Sequence, residues 1–153
     1  MTSSVFLAQA RRYCAAQERC TSELREKLIA WGALRQAQGE KKIATILARL
    51  VKDGYLNEQR FAEHYAVSKF RQKGWGRVKI RAALRFKQVE AAIIASGLGA
   101  IDEDEYNAAL REVVRKRLKN EKGRDAFERE QRVKRYLMGK GFEGELIEGC
   151  LKD

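Results

Sequence analysis

Apolar residues along the chain recur at the spacing of helical stripes, broken by short polar stretches. Leu24, Leu28 and Trp31 form one stripe, with Ser22 placed to N-cap it and Gly32 to end it. Polar residues from Arg35 to Glu40 predict a loop or frayed turn. Ile43, Ile46, Leu47 and Leu50 make the next stripe, which Gly54 closes just beyond the C-cap. Asn57 then reads as an N-cap, with Leu56 and Phe61 spaced for a hydrophobic staple. The device recurs further on. Gly97 is placed to stop a helix holding Ile93 and Ile94. The stretch Ile101-Asp102-Glu103-Asp104-Glu105-Tyr106 then supplies an Asp cap, a Glu at N3 and an Ile101–Tyr106 staple. Asp102 to Glu105 is thus capping chemistry at the positive end of a helix dipole rather than a metal-binding cluster.

These stripes repeat. Leu24-x3-Leu28, Ile80-x3-Leu84 and Val133-x3-Leu137 are similar pairs inside basic helices, with Leu28, Leu84 and Leu137 spaced by 56 and 53 residues. Each pair is preceded by a helical segment (Phe6 to Ala16, Phe61 to Phe70, Tyr106 to Leu118). Each is also followed by one (Ile43 to Leu50, Glu90 to Ser96, Glu145 to Leu151). No segment alternates as a strand would. The pattern predicts an all-α chain of three tandem three-helix repeats, 1–57, 58–101 and 102–153, forming one continuous, elongated and curved body. A lone unit of this size is marginal, so stacking of neighbours is expected to complete each core.

Composition sharpens this picture. Proline is absent from 153 residues, where about seven or eight would be usual, which fits a largely helical chain. No apolar stretch approaches the roughly 18 residues of a membrane span, and the start lacks a basic leader followed by an apolar run. Cytoplasmic residence is the expectation. Cys14, Cys20 and Cys150 form no CxxC pair and read as packed thiols. With His64 the single histidine, a zinc site lacks ligands. Phosphate-loop, GxSxG and HExxH motifs are missing, so the expectation is a non-enzymatic protein without cofactor or metal.

The net charge of +11 points to anionic partners, and it is unevenly spread. Residues 61–100 carry 8 basic and 2 acidic side chains, whereas residues 101–153 carry 13 of each. Between Lys69 and Lys87 lie eight cations and no acid: Lys69, Arg71, Lys73, Arg77, Lys79, Arg81, Arg85 and Lys87. Arg77, Arg81 and Arg85 follow i, i+4, i+8, which predicts one cationic helix face flanking Ile80 and Leu84. Like charges so spaced oppose each other, and an anionic partner would relieve them. The alternative is a solvated face neutralised by acids from another repeat. Trp75, between Gly74 and Gly76, either stacks on a base or protein groove or folds back over the helix junction. Phe86 reads as a packing residue. Arg111, Arg115 and Lys119 form a second row in a neutral segment, where intramolecular ion pairs are expected.

The segment Asp53-Gly54-Tyr55-Leu56-Asn57-Glu58-Gln59-Arg60-Phe61-Ala62, followed by Arg71-Gln72-Lys73-Gly74-Trp75-Gly76 and Ile80-x3-Leu84, resembles the RecX family. Ser22-Glu23-Leu24-x2-Lys27-Leu28 with Gly32 is similar to that family's N-terminal motif, and the likeness runs over residues 8 to 150. Lys87-Gln88-Val89 departs from it, standing where the family has Lys-Gly-Ile; Gln88 is expected to continue the helix. The resemblance implies a helical, non-enzymatic modulator of the RecA recombinase. Such a protein would bind the RecA filament on single-stranded DNA and inhibit filament growth, ATP hydrolysis, strand exchange and co-protease activity. By motif it implies roles for Arg71, Lys73, Gly74, Gly76 and Lys87; charge and spacing add Lys69, Trp75, Arg77, Lys79, Arg81 and Arg85. Expected partners are RecA, its filament and single-stranded DNA, with duplex DNA as a further possibility, and nothing demands a dimer. Two other readings stand beside it. One is a stand-alone nucleic-acid binder of helix-turn-helix type; the other is a helical adaptor for an acidic protein.

Overall fold

A computed structural model describes residues 2–153. Among them are nine α-helices and no strand: α1 (Ser3–Ala16), α2 (Thr21–Ala30), α3 (Gly39–Lys52), α4 (Glu58–Lys73), α5 (Arg77–Phe86), α6 (Ala91–Gly99), α7 (Glu103–Asn120), α8 (Ala126–Gly139) and α9 (Gly144–Leu151). A 3-10 turn, Ala33–Arg35, stands between α2 and α3. Helices pack chiefly within consecutive triplets. The accessible surface is 9491 Å², against about 7,900 Å² for a compact monomer of this mass. Three small triplets in a row expose more surface than one ball.

Local chemistry explains the helix starts. Asn57 Oδ1 accepts the Arg60 amide at 2.9 Å, and Asp102 Oδ2 accepts the Glu105 amide at 2.9 Å. Such caps contribute about 1 kcal/mol each. At α2 the cap lies two residues earlier than the pattern suggests. Cys20 is the N-cap, and Glu23 Oε1 accepts its backbone amide at 3.0 Å. Ser22 instead sends its hydroxyl to the Lys87 carbonyl, 2.6 Å away in the next triplet.

The second helix of every triplet ends in the same way. Leu28, Leu84 and Leu137 are fully buried, and the residue four further on has a left-handed backbone: Gly32 at φ 100°, Gln88 at φ 64° and Gly141 at φ 96°. Gln88 therefore does not continue α5. Its amide donates to the Arg85 carbonyl at 2.9 Å, and the Val89 amide donates to the Leu84 carbonyl at 3.2 Å. These are the two bonds of a Schellman turn, and buried Val89 supplies the apolar contact such turns carry. The tertiary position of Val89 overrides the reluctance of an L-residue to enter this region.

Gly97 also differs from expectation, since α6 runs past it to Gly99. A Cβ there would sit 2.8 Å from Ala62 Cβ, so its smallness permits the close crossing of α4 and α6. The expected Leu56–Phe61 staple is split. Leu56 is buried with Phe6, Leu24, Leu28 and Ile43 in the first triplet's core, whereas Phe61 belongs to a second core. That second core is shared by the middle and last triplets, and Cys20 reaches into it from the first. Tyr106 sits at its centre, fully buried, with ring centroids 5.4 Å from both Phe70 and Phe142. Ile101 is buried in the same core, as its staple spacing to Tyr106 predicts. Cys14 and Cys20 are buried free thiols, and Cys150 is half-buried.

Candidate functional site

The basic run from Lys69 to Lys87 spans the end of α4, the Gly74-Trp75-Gly76 turn and all of α5. The turn is built for backbone contact. Gly74, at φ 68°, ends α4. The Gly76 amide then donates to the Lys140 carbonyl at 2.8 Å, and the Val78 amide to the Gly141 carbonyl at 2.9 Å. A Cβ on Gly76 would lie 2.5 Å from the Phe142 nitrogen, and one on Gly141 would lie 2.6 Å from the Lys79 nitrogen. Between these two bonds, the Arg77 amide donates to Tyr106 Oη at 3.1 Å. The first free amides of α5 are thus satisfied by the last triplet.

This docking divides the cations into two groups. Arg77 lies inward, 16% exposed. Its guanidinium lies 3.9 Å from the Tyr106 ring centroid, bonds Glu143 at 2.8 Å and pairs with Glu103. Tyr106 Oη donates to the same Glu143 carboxylate. Burial first, then that carboxylate, pushes the Tyr106 phenol well above its ordinary value. Arg71 forks onto Glu105 with two bonds of 2.9 Å, which hold the Glu105 carboxyl below its usual range. Lys87 pairs with Glu23 at 3.2 Å across the first junction. Burial opposes ionisation of Glu23, yet the Cys20 amide and the Lys87 ammonium outweigh it, so its pKa is lowered. Burial likewise opposes the charge on Lys87, and Glu23 overcomes it to raise the lysine's pKa.

Lys69 and Lys79 flank Trp75, with Nζ 5.1 and 4.6 Å from the indole centroid. The indole is half-buried and packs against the shared core, so Trp75 folds back over the junction. Lys73, Arg81 and Arg85 remain: all three are exposed, and none pairs with a carboxylate among the described residues.

The predicted single face of Arg77, Arg81 and Arg85 is a spiral instead. At about 100° per residue, each four-residue step advances the row by about 40°. Arg77 consequently sits beside the Leu84 stripe while Arg85 reaches open solvent. Phe86 corrects the packing assignment outright, since it is 90% exposed. It lies about 200° round the helix from Leu84, a displacement that the stripe itself foretells. Glu23 and Glu143, two of the acids that occupy the cations, carry no sequence signal for that role because their partners are more than 60 residues away. In the second cationic row the expected ion pairing holds for Arg115 alone, which meets Glu112 at 2.8 Å, while Arg111 and Lys119 form no ion pair among the described residues. Arg117, outside that row, lies 3.5 Å from the Tyr136 ring centroid.

A shallow groove runs beside α5. Arg81 and Arg85 form one wall, and Ala91, Ile94, Ala95 and Leu98 of α6 form its floor. A second cleft lies between the first two triplets, lined by Glu23, His64, Tyr65, Lys69 and Lys87 among others. Among the described residues no group of three or more His, Cys, Asp or Glu could hold a metal ion. No described helix is long and apolar enough to cross a membrane.

Comparison with known proteins places this architecture. Residues 57–98 match the family model of the RecX second three-helix domain, and residues 103–151 match that of the third. The Regulatory protein RecX of Mycobacterium sp. (strain KMS) is 34% identical over 135 residues, covering 86% of this chain and 71% of that protein. The Regulatory protein RecX of Amycolatopsis mediterranei (strain U-32) is 30% identical over 147 residues, covering 93% of this chain and 84% of that protein. The crystal structure of RecX from Lactobacillus salivarius has the same fold, with a TM-score of 0.86 at 19% identity, covering 98% of this chain and 94% of that one. With both three-helix domains matched and relatives aligned over most of their length, the chain belongs to the RecX family of regulatory proteins.

Proposed function

We propose that this protein is a non-enzymatic, monomeric modulator of the RecA recombinase, acting in the cytoplasm. In this reading it binds the RecA filament on single-stranded DNA and lowers ATP hydrolysis, strand exchange and co-protease activity. Family membership suggests the partner. The observation that carries the reading at residue level is the sorting of cations along α4 and α5. Arg71, Arg77 and Lys87 are held by carboxylates of the flanking triplets and set the geometry of the body. Lys73, Arg81 and Arg85 are left for an anionic partner, with Lys69 and Lys79 at the edge of the same surface beside Trp75. The repeat units in this reading are 1–57, 58–101 and 102–153, with the middle one making the main contact.

The helix-turn-helix alternative fits α6 poorly. As the recognition helix it would present exposed Ala91, Ala92, Ala95 and Ser96, which lack the bidentate side chains that read base edges. Co-sedimentation with RecA filaments on single-stranded DNA tests the proposal. The protein should pellet with filaments, and the Arg81→Gln, Arg85→Gln double variant should pellet less. A protein that stays in the supernatant with filaments present contradicts the proposal.

A further inference from the structure

Phe86 is the most exposed large apolar side chain among the described residues, at 90%. Nothing in the fold requires a phenylalanine there, because the α5 stripe is complete with Ile80 and Leu84. It stands next in sequence to Arg85 and one turn beyond Arg81 and Ala82, all exposed. The arginines wall the groove over α6, whose floor of Ala91, Ile94, Ala95 and Leu98 is apolar. Phe86 lies about 100° round α5 from Arg85 and about 140° from Arg81. An open aromatic face thus stands within reach of two flexible guanidinium groups that form no ion pair among the described residues, which suits one ligand chemistry well. Unpaired bases offer a flat apolar face, and the backbone linking them offers anionic oxygens one residue apart. Bases inside a duplex are already stacked, whereas Phe86 at the end of α5 leaves its ring 90% exposed, so the fit is to a single strand.

We infer that the outer face of α5 is a stacking site for an unpaired base of single-stranded nucleic acid, with Phe86 taking the base and Arg81 and Arg85 the adjoining phosphates. This deepens the functional proposal above and rests on it only for the biological setting. Phe86 contributes through the ring face, which makes binding tolerant of base identity. The arginines contribute through charge, which makes it dependent on salt.

The test uses the full chain and a fluorescent oligothymidylate, without RecA. Phe86 is exposed, so its variants keep the fold, and circular dichroism checks that they do. Phe86→Ala should weaken binding by about tenfold, the loss of one stacked base, while leaving the slope of log affinity against log salt unchanged. Phe86→Trp should preserve affinity, and its added fluorescence, relative to the parent's Trp31 and Trp75, should be quenched by the strand. An abasic strand of equal length should bind parent and Phe86→Ala alike. The inference is overturned if oligothymidylate does not bind, if Phe86→Ala binds like the parent, or if the abasic strand also discriminates between them. It is equally overturned if Phe86→Leu restores full affinity, which would mark the face as an apolar docking surface for protein. Because RecA is absent, failure here is distinct from failure of the RecA reading, which filament co-sedimentation judges separately.

Discussion

The Gly76 amide donates to the Lys140 carbonyl at 2.8 Å, fastening the start of α5 to the turn that ends α8, 64 residues later in the chain. The same junction recurs one triplet earlier in another chemical form, where the Ser22 hydroxyl donates to the Lys87 carbonyl. Lys87 and Lys140 each stand three residues beyond the buried leucine of their repeat. Stacking of repeats therefore runs through the N-terminus of one second helix and the C-terminal turn of the next, reinforced by carboxylates from both sides. This arrangement presents the outer face of α5 while its inner cations are consumed.

Gly76→Ala tests that junction. The new methyl would overlap the Gly141–Phe142 backbone, costing about 2–3 kcal/mol through strain and weakened backbone bonds. Gly149→Ala in α9, where a Cβ meets nothing within 4 Å, should stabilise by up to about 1 kcal/mol. Urea unfolding of both variants gives the comparison, and equal effects would contradict the role of the close approach.

Gln88→Gly should stabilise the protein by about 1 kcal/mol, because the left-handed turn at φ 64° costs an L-residue roughly that much. A higher Tm with unchanged helix content is the expected result. An unchanged or lower Tm would mean that the Gln88 side chain compensates for its backbone.

The Glu23–Lys87 bridge gives the first junction a pH window. Glu23 has a lowered pKa, so its contribution is present above the ordinary glutamate value of 4.5 and is lost as pH falls through the lowered one. Lys87 has a raised pKa, so its contribution is full below 10.5 and is lost as pH rises through the raised value. The contribution of this bridge should be flat between these limits. Glu23→Gln should shallow the acid limb of a stability–pH curve measured by urea unfolding; an unaltered limb would remove Glu23 from the acid response.

Arg77 and Arg85 should behave oppositely despite sharing a row. Arg77→Ala takes the guanidinium away from Glu143, Glu103 and the Tyr106 ring, while the Tyr106 hydroxyl keeps its bonds to the residue 77 amide and Glu143. It should cost about 2–3 kcal/mol of stability. Arg85→Ala should leave stability within about 0.5 kcal/mol. On single-stranded DNA, Arg85→Ala should reduce the salt slope by about 0.7, the value of one phosphate contact. Thermal melts and anisotropy titrations at several salt concentrations separate the two roles.

Features fixed by neighbours in sequence are legible in the sequence itself. Asn57 and Asp102 are caps because the amide each accepts lies three residues away, and the leucine repeat at 28, 84 and 137 exposes the three-triplet plan. Features that depend on contacts across the fold are not. Gly97 resembles a helix stop because its real constraint, Ala62, lies 35 residues upstream. Arg77 reads as a surface cation because Glu143 is 66 residues away. Phe86 lies between these cases: helical angles put it opposite Leu84, while residue type alone argues for burial. The basic run is real as a run of sequence, and only packing divides it into structural and free cations.

The most direct test of the central claim is the single-strand-dependent ATPase rate of RecA at sub-stoichiometric ratios of this protein. The rate should fall on adding the protein, and fall less when Arg81 and Arg85 are both replaced by glutamine. A rate unchanged by the parent protein, with filaments fully assembled, would contradict it.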